Sequence, residues 1–93
     1  MAIKYLSKIL EICCNEFEVS IEHVKSKSRK QEFVYCRKAF CLICKEKYNL
    51  KYETIGKLIN CSISQVFENI KKQPVDYYYK ICINKIMEKI ELL

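Results

Sequence analysis

The sequence predicts an all-α protein, a compact bundle of about six helices that contains a helix-turn-helix and forms a single domain over residues 1–93. The chain has 93 residues, of which 51 % are apolar, so it can bury one small core. It has one glycine and one proline, whereas a β-sandwich or barrel needs turn residues at every hairpin. Apolar residues recur at steps of three and four along most of the chain, which is the helical period.

Two helices are predicted near the start of the chain. The apolar positions from Ile3 to Phe17 follow helical spacing. Ser20 is a suitable N-cap for a short helix over Ile21–Lys25. The next segment, "KSKSRKQ", is polar and basic, and we expect a loop that leads into a helix capped by Ser26 or Ser28.

The strongest helical pattern is "EFVYCRKAFCLICKEKY", which is apolar on most sides as expected of a central helix. One stripe of this helix consists of Phe33, Arg37, Phe40, Cys44 and Tyr48. The pattern breaks near Asn49 and a further helix starts near Lys51.

The last two helices are predicted from "SISQVFENIKKQ" and "VDYYYKICINKIMEKIELL". Ser62 is the expected N-cap of the first of these helices. Pro74 is expected to end that helix and to occupy the first turn of the final helix.

The stretch "IGKLINCSISQV" predicts a helix-turn-helix. Asn60 can adopt the left-handed conformation that glycine usually supplies in such a turn. Ser62, Ser64 and Gln65 then fall in the first turn of the second helix, where glutamine can pair with adenine and serine can contact bases or phosphate. The alternative is an ordinary helical hairpin with a serine cap.

The net charge of +6 is unevenly distributed. Residues 25–51 contain nine basic and two acidic side chains, while the flanking segments are close to balanced. The basic loop contributes Lys25, Lys27, Arg29 and Lys30 to this excess. Such a field suits a polyanion, and basic arms of this type can enter the minor groove of DNA. The alternative is a solvated lysine surface.

The seven cysteines do not indicate a secreted disulfide protein. Their number is odd, most occupy apolar helical positions, and Lys4 and Lys8 interrupt the N-terminal apolar stretch that a signal peptide would need. We expect a cytoplasmic chain with reduced cysteines and no membrane span. The Cys41–Cys44 pair lies within a helical pattern and lacks further ligands at suitable spacing, so core packing is favoured over a metal or redox site.

No catalytic constellation is evident. His23 is the only histidine, and it is interpreted as a surface or capping residue because no glycine-rich oxyanion loop accompanies it. We expect no enzymatic activity, no cofactor and no metal.

Four short pieces occur in an order that resembles the C-terminal duplex-DNA-binding domain of the bacterial replication initiator DnaA. These pieces are "IEHVKSKSRK", "RKAFCLICKE", "ETIGKLI" and "SISQV", followed by a closing helix. The resemblance covers most of the chain. A full initiator also carries a phosphate-binding ATPase loop with two glycines, which a chain with one glycine cannot contain. The chain therefore looks like the DNA-binding part alone, without a nucleotide site.

The resemblance implies roles for individual positions. It implies that Arg29 contacts the minor groove and that Arg37, Lys38 and Lys45 contact phosphates of the DNA. It further implies that Lys51 and Tyr52 lie near the DNA backbone and that Gly56 permits close packing of helices. The chain departs from the family at the recognition helix, where Ile63 replaces a base-reading histidine and Glu68 replaces another polar contact.

The predicted function is non-enzymatic binding of double-stranded DNA in the regulation of transcription or replication. The helix after Ser62 would enter the major groove, and the basic loop would reach the minor groove. The alternative is a helical adaptor that binds a protein partner through a surface derived from a helix-turn-helix.

Overall fold

A computed structural model describes residues 3–93 and shows six α-helices. They are α1 (Ile3–Phe17), α2 (Ile21–Lys25), α3 (Gln31–Tyr48), α4 (Tyr52–Ile59), α5 (Ile63–Lys71) and α6 (Tyr77–Glu91). No strand occurs among these residues, so the predicted all-α fold is confirmed. None of the helices in this part of the chain is long and apolar enough to cross a membrane.

The long helix α3 lies at the centre of the bundle. It contacts α1, α2, α4 and α5, while α6 packs against α1. Phe40 and Ala39 of α3 are fully buried, together with Ile55 of α4 and Val66 of α5. Helix α3 therefore packs against both helices of the helix-turn-helix. Since α3 also follows the basic loop directly, it determines the position of α5 relative to that loop.

Six of the seven cysteines are buried, as the helical pattern predicted. Burial raises the pKa of Cys44 to about 12, so its thiol stays protonated near neutral pH. These side chains act as small hydrophobes in the core. No group of three or more His, Cys, Asp or Glu side chains within residues 3–93 is arranged to hold a metal ion.

Three helices end at a left-handed residue that is not glycine. Glu18, Asn49 and Asn60 have φ angles of 57°, 50° and 58°. The left-handed conformation at Asn60 confirms the prediction for the corner, and asparagine tolerates this conformation better than most residues do. Glu18 was not anticipated, and it follows α1 directly, where the amide of Val19 donates to the carbonyl of Cys14 at 3.0 Å.

The predicted N-caps Ser20 and Ser62 are both confirmed. The prediction that Ser26 or Ser28 caps α3 is wrong, because the N-cap is Lys30 and makes no side-chain capping bond. The Ser26 hydroxyl instead donates to the carbonyl of His23 at 2.7 Å and accepts from the amide of Ser28 at 3.2 Å. These serines stabilise the loop itself.

Pro74 does not lie in the first turn of α6. The N-cap of that helix is Asp76, so Pro74 belongs to the connection after α5. Gln73 organises this connection: its side-chain amide donates to the carbonyl of Asn69 at 2.8 Å, and its side-chain oxygen accepts from the hydroxyl of Tyr79. A proline two residues before an N-cap is compatible with this extended link.

Gly56 permits the close approach of α4 to the turn and to α5. A Cβ atom at this position would lie 3.4 Å from Cγ2 of Val66 and would overlap the carbonyl oxygen of Cys61. The close packing implied for this glycine is confirmed. Because φ at Gly56 is not positive, space rather than backbone conformation is what requires glycine here.

We expect Gly56→Ala to lower the free energy of unfolding by about 2 kcal/mol, because overpacking against backbone costs more than alanine's gain in helix propensity. For a domain of this size the melting temperature should fall by roughly 10 °C, measurable by circular dichroism. Ser7→Ala, at an exposed position of α1, is the control and should leave the melting temperature nearly unchanged. A Gly56→Ala protein as stable as this control would contradict the packing argument.

Candidate nucleic-acid interface

The corner between α4 and α5 has the geometry of a helix-turn-helix. The turn consists of residues 60–62, between the end of α4 at Ile59 and the start of α5 at Ile63. The amide of Cys61 donates to the carbonyl of Gly56 at 2.9 Å and closes the end of α4. The chain then turns directly into α5, whose first residues face outward.

A capping box fixes the first turn of α5. The hydroxyl of Ser62 accepts from the amide of Gln65 at 3.2 Å, and the side-chain oxygen of Gln65 accepts from the amide of Ser62 at 2.8 Å. Gln65 is predicted to contact adenine, and the side-chain oxygen that would accept from the base already accepts from the Ser62 amide through one of its two lone pairs. Ser62 and Gln65 therefore stabilise the helix start, while the exposed Ser64 lies outside this box.

The basic loop, residues 26–30, is held from beneath by Arg37 of α3. Its guanidinium donates to the carbonyls of Val24 at 2.7 Å, Ser28 at 2.8 Å, Ser26 at 2.8 Å and His23 at 3.1 Å. The residue is only 9 % exposed. One side chain thus satisfies four carbonyls of the loop and of the end of α2, as the forked donors of arginine allow.

Arg37 has a structural role in addition to the phosphate contact that the resemblance implies. A buried guanidinium needs hydrogen-bond partners within the protein, and loop carbonyls outside a helix need donors. The same hydrogen bonds satisfy the Arg37 guanidinium and the loop carbonyls, and they direct the guanidinium toward the loop. Arg37 thereby positions the basic loop.

The turn of the helix-turn-helix is also tied to the basic loop. The side-chain amide of Asn60 donates to the carbonyl of Lys25 at 3.3 Å, across 35 positions of sequence. The sequence predicts only a backbone role for Asn60. The residue in fact has two roles: it forms the turn and it holds the start of the loop close to α5.

His23 confirms the expected capping role. Its Nδ1 atom accepts from the amide of Ser20 at 3.3 Å, while its own amide donates to the hydroxyl of Ser20 at 3.1 Å. The imidazole stacks on the ring of Phe33, with centroids 4.4 Å apart. The short helix α2 is thereby fixed to α3, and its last carbonyls are presented to Arg37.

An open groove, which we call the basic groove, lies between the basic loop and α5. Its charged and polar lining includes Lys27 and Arg29 from the loop, Lys38 from α3, and Ser64, Glu68 and Lys72 from α5. Partial burial, and then the neighbouring Lys72 ammonium, lower the pKa of Lys38. A bound anion would relieve this repulsion, so the groove is suited to phosphate.

A second set of predicted residues lies beside α5. The ammonium of Lys45 lies 5.1 Å from the ring centroid of Tyr52, and that ring lies 6.1 Å from the ring of Phe67. Lys51 is exposed at the N-cap of α4. Together with the exposed Ile63 these residues form a surface that we call the apolar flank, bordered by lysines.

The remaining loop lysines lie at the two ends of the loop. Lys25 ends α2 and is exposed, and Lys30 precedes α3 with its ammonium 5.9 Å from the ring centroid of Phe33. Neither residue lines the basic groove. The structure thus brings most of the predicted residues to the surroundings of α5, and Arg37, although largely buried beneath the loop, also contributes to the lining of the basic groove.

The fold and this surface define a helix-turn-helix protein with a basic loop fixed beside its second motif helix. The family described as bacterial dnaA protein helix-turn-helix matches residues 6–72. The chain belongs to this family, which confirms the resemblance found in the sequence.

Several chromosomal replication initiator proteins named DnaA are similar to the chain. The protein of Mycoplasma genitalium is 33 % identical over 64 residues, covering 69 % of the chain and 15 % of that protein. The protein of Thermosipho africanus is 35 % identical, covering 70 % of the chain and 15 % of that protein. The chain thus spans a small fraction of the curated relatives it matches. No solved structure matches it.

We expect Arg37→Lys to lower the free energy of unfolding by about 3 kcal/mol, because an ammonium cannot satisfy four carbonyls in the geometry of a guanidinium. Urea denaturation followed by circular dichroism measures this loss. Arg29→Lys makes the same chemical change at an exposed loop position and serves as the control. Equal urea midpoints for the two variants would show that the buried bonds contribute little.

Proposed function

We propose that this protein is a non-enzymatic, double-stranded-DNA-binding protein acting in regulation of replication or transcription. Helix α5 would enter the major groove, and the basic loop would reach toward the adjacent minor groove. One observation carries the proposal: Arg37 and Asn60 hold the loop in a fixed position beside the helix-turn-helix, so both elements can dock as one surface. The relatives are named as replication initiators, which supports a setting in replication.

Phosphate contacts would determine where the protein sits on the duplex. Lys38 in the basic groove and Lys45 on the apolar flank place positive charge on two sides of the inserted helix, and the exposed Lys51 adds a charge at the N-cap of α4. The major groove admits an α-helix, and the phosphates that border it would meet these two sides. Such contacts fix register and orientation but do not distinguish sequences.

Sequence preference would come from the exposed residues of α5. Ser64 offers a hydroxyl that can donate or accept, and Ile63, which is 54 % exposed, offers an apolar contact for the methyl group of thymine. The replacement of a base-reading histidine by Ile63 changes what is read without removing the contact surface.

A second candidate function is that of a helical adaptor for a protein partner. The observation in its favour is the apolar flank, where Phe67 is 44 % exposed next to Ile63 and close to Tyr52. Exposed aromatic and aliphatic side chains at the centre of a surface are typical of protein interfaces. The absence of duplex binding even at low salt would favour this candidate.

We expect Arg29→Ala and Lys38→Ala each to weaken duplex binding, by about three- to tenfold at moderate salt, because the first removes a cation from the minor groove and the second removes a phosphate contact. Fluorescence anisotropy titrations at several salt concentrations measure the affinity and its salt slope, which should be shallower by roughly one for each lost phosphate contact. Lys85→Ala, at an exposed position of α6, is the charge-matched control and should bind like the unaltered protein. If all three variants bind alike, the docking face is wrong.

A further inference from the structure

We propose that the Glu68 carboxylate is a specificity-determining group of α5 that accepts a hydrogen bond from the exocyclic amino group of a cytosine in the major groove. The proposal rests on the proposed function. It assigns a definite base preference to a position where the sequence analysis found only a replaced polar contact.

The position of Glu68 on α5 suits base contact. It follows Ser64 by four residues, so both side chains lie on the same side of the helix, and both line the basic groove. Four residues correspond to a rise of about 6 Å along a helix. Since stacked bases are about 3.4 Å apart along a strand, Ser64 and Glu68 could address bases up to two steps apart.

The capping box engages polar atoms of Ser62 and Gln65, whereas Ser64 and Glu68 are not part of it. The side-chain oxygen of Gln65 and the hydroxyl of Ser62 bond to backbone amides of the first turn. The Glu68 side chain is 49 % exposed, and only one of its oxygens takes part in the ion pair with Lys72, at 3.0 Å. The second carboxylate oxygen is available to a ligand in the groove.

The charge state of Glu68 determines which bases it can accept. The hydrogen bond from Lys72 lowers the pKa of the carboxyl, so the group is ionised near neutral pH and is purely an acceptor. In the major groove cytosine presents an amino donor, whereas guanine and thymine present acceptors that would repel a carboxylate. Adenine presents a donor beside an acceptor, so cytosine is the best match.

The Glu68 carboxylate also disfavours binding to duplexes that lack a cytosine at the contacted position. In the unbound protein Glu68 balances part of the positive charge of Lys38 and Lys72 in the basic groove. A carboxylate brought near phosphates without an amino donor is left next to negative charge, which is unfavourable. A correctly placed cytosine offsets this repulsion, so the same group attracts one base and disfavours the others.

A simpler role for Glu68 would be an ordinary helix ion pair. Pairs of similar spacing occur at Lys8–Glu11 on α1 and at Glu53–Lys57 on α4. Exposed pairs of this type contribute little to stability. Glu11 does not line the basic groove, so its substitution provides a control with the same change of charge.

The test is selection of bound duplexes from a random pool by the unaltered protein, by Glu68→Gln and by Glu11→Gln, followed by competition titrations on the selected duplexes. We expect the unaltered protein and Glu11→Gln to select cytosine at one shared position. Glu68→Gln should select adenine there, because glutamine both donates to and accepts from adenine. The preference between the two duplexes should change by about tenfold or more. Circular dichroism checks that the variants are folded.

Two other results would overturn the proposal. If Glu68→Gln selects the same duplexes as the unaltered protein, with or without a general gain in affinity, Glu68 does not read a base although DNA binding stands. If the unaltered protein binds no duplex at low salt, the proposed function itself fails, and the role of Glu68 fails with it.

Discussion

The buried guanidinium of Arg37 is the interaction on which the surface around α5 depends. It bonds to four carbonyls between His23 and Ser28, in the segment that joins the end of α2 to the basic loop. Taking a cation out of water costs several kcal/mol, and each hydrogen bond to a charged group returns about 1.5–3 kcal/mol. The arrangement is therefore stable only when most of these bonds form together. The loop consequently has one strongly favoured conformation.

The consequence for the interface follows from the geometry of α3. Adjacent residues on a helix point about 100° apart, so Arg37 can bond to the loop carbonyls while Lys38 lies close to α5, although both side chains line the basic groove. The same helix packs against α5, and Asn60 adds a bond from the turn to Lys25. Helix α3 therefore fixes the positions of the loop, the turn and α5 relative to one another. A surface built in this way can meet two neighbouring grooves without first becoming ordered, which reduces the entropic cost of binding.

Most of the fold was predictable because its determinants are local. Helical periodicity, the serine caps and the left-handed asparagine depend on neighbours within a few positions of sequence. The bonds of Arg37 and Asn60 join residues that are 9 to 35 positions apart, and no local pattern specifies them. One signal was present: Arg37 falls within the apolar stripe of α3, where a charged residue must find buried partners. The actual start of α6 was missed because Gln73 bonds to the end of α5 and makes the connection longer.

The sequence bears more directly on the residues expected to contact phosphates than on those expected to contact bases, for a related reason. Basic residues reveal a polyanion surface through composition alone, since phosphate contacts need charge but little precision. Base reading depends on which polar atoms remain free once the helix has satisfied its own backbone. The first turn of α5 uses Ser62 and Gln65 for that purpose, so the side-chain oxygens of these two residues already have backbone partners in the unbound protein. The chemistry left to face a base pair is the methyl-rich side chain of Ile63, the hydroxyl of Ser64 and the carboxylate of Glu68. This set differs in both polarity and charge from the pattern that the resemblance implies for the family, so under the proposed function a preserved docking mode would be combined with a different preferred DNA sequence.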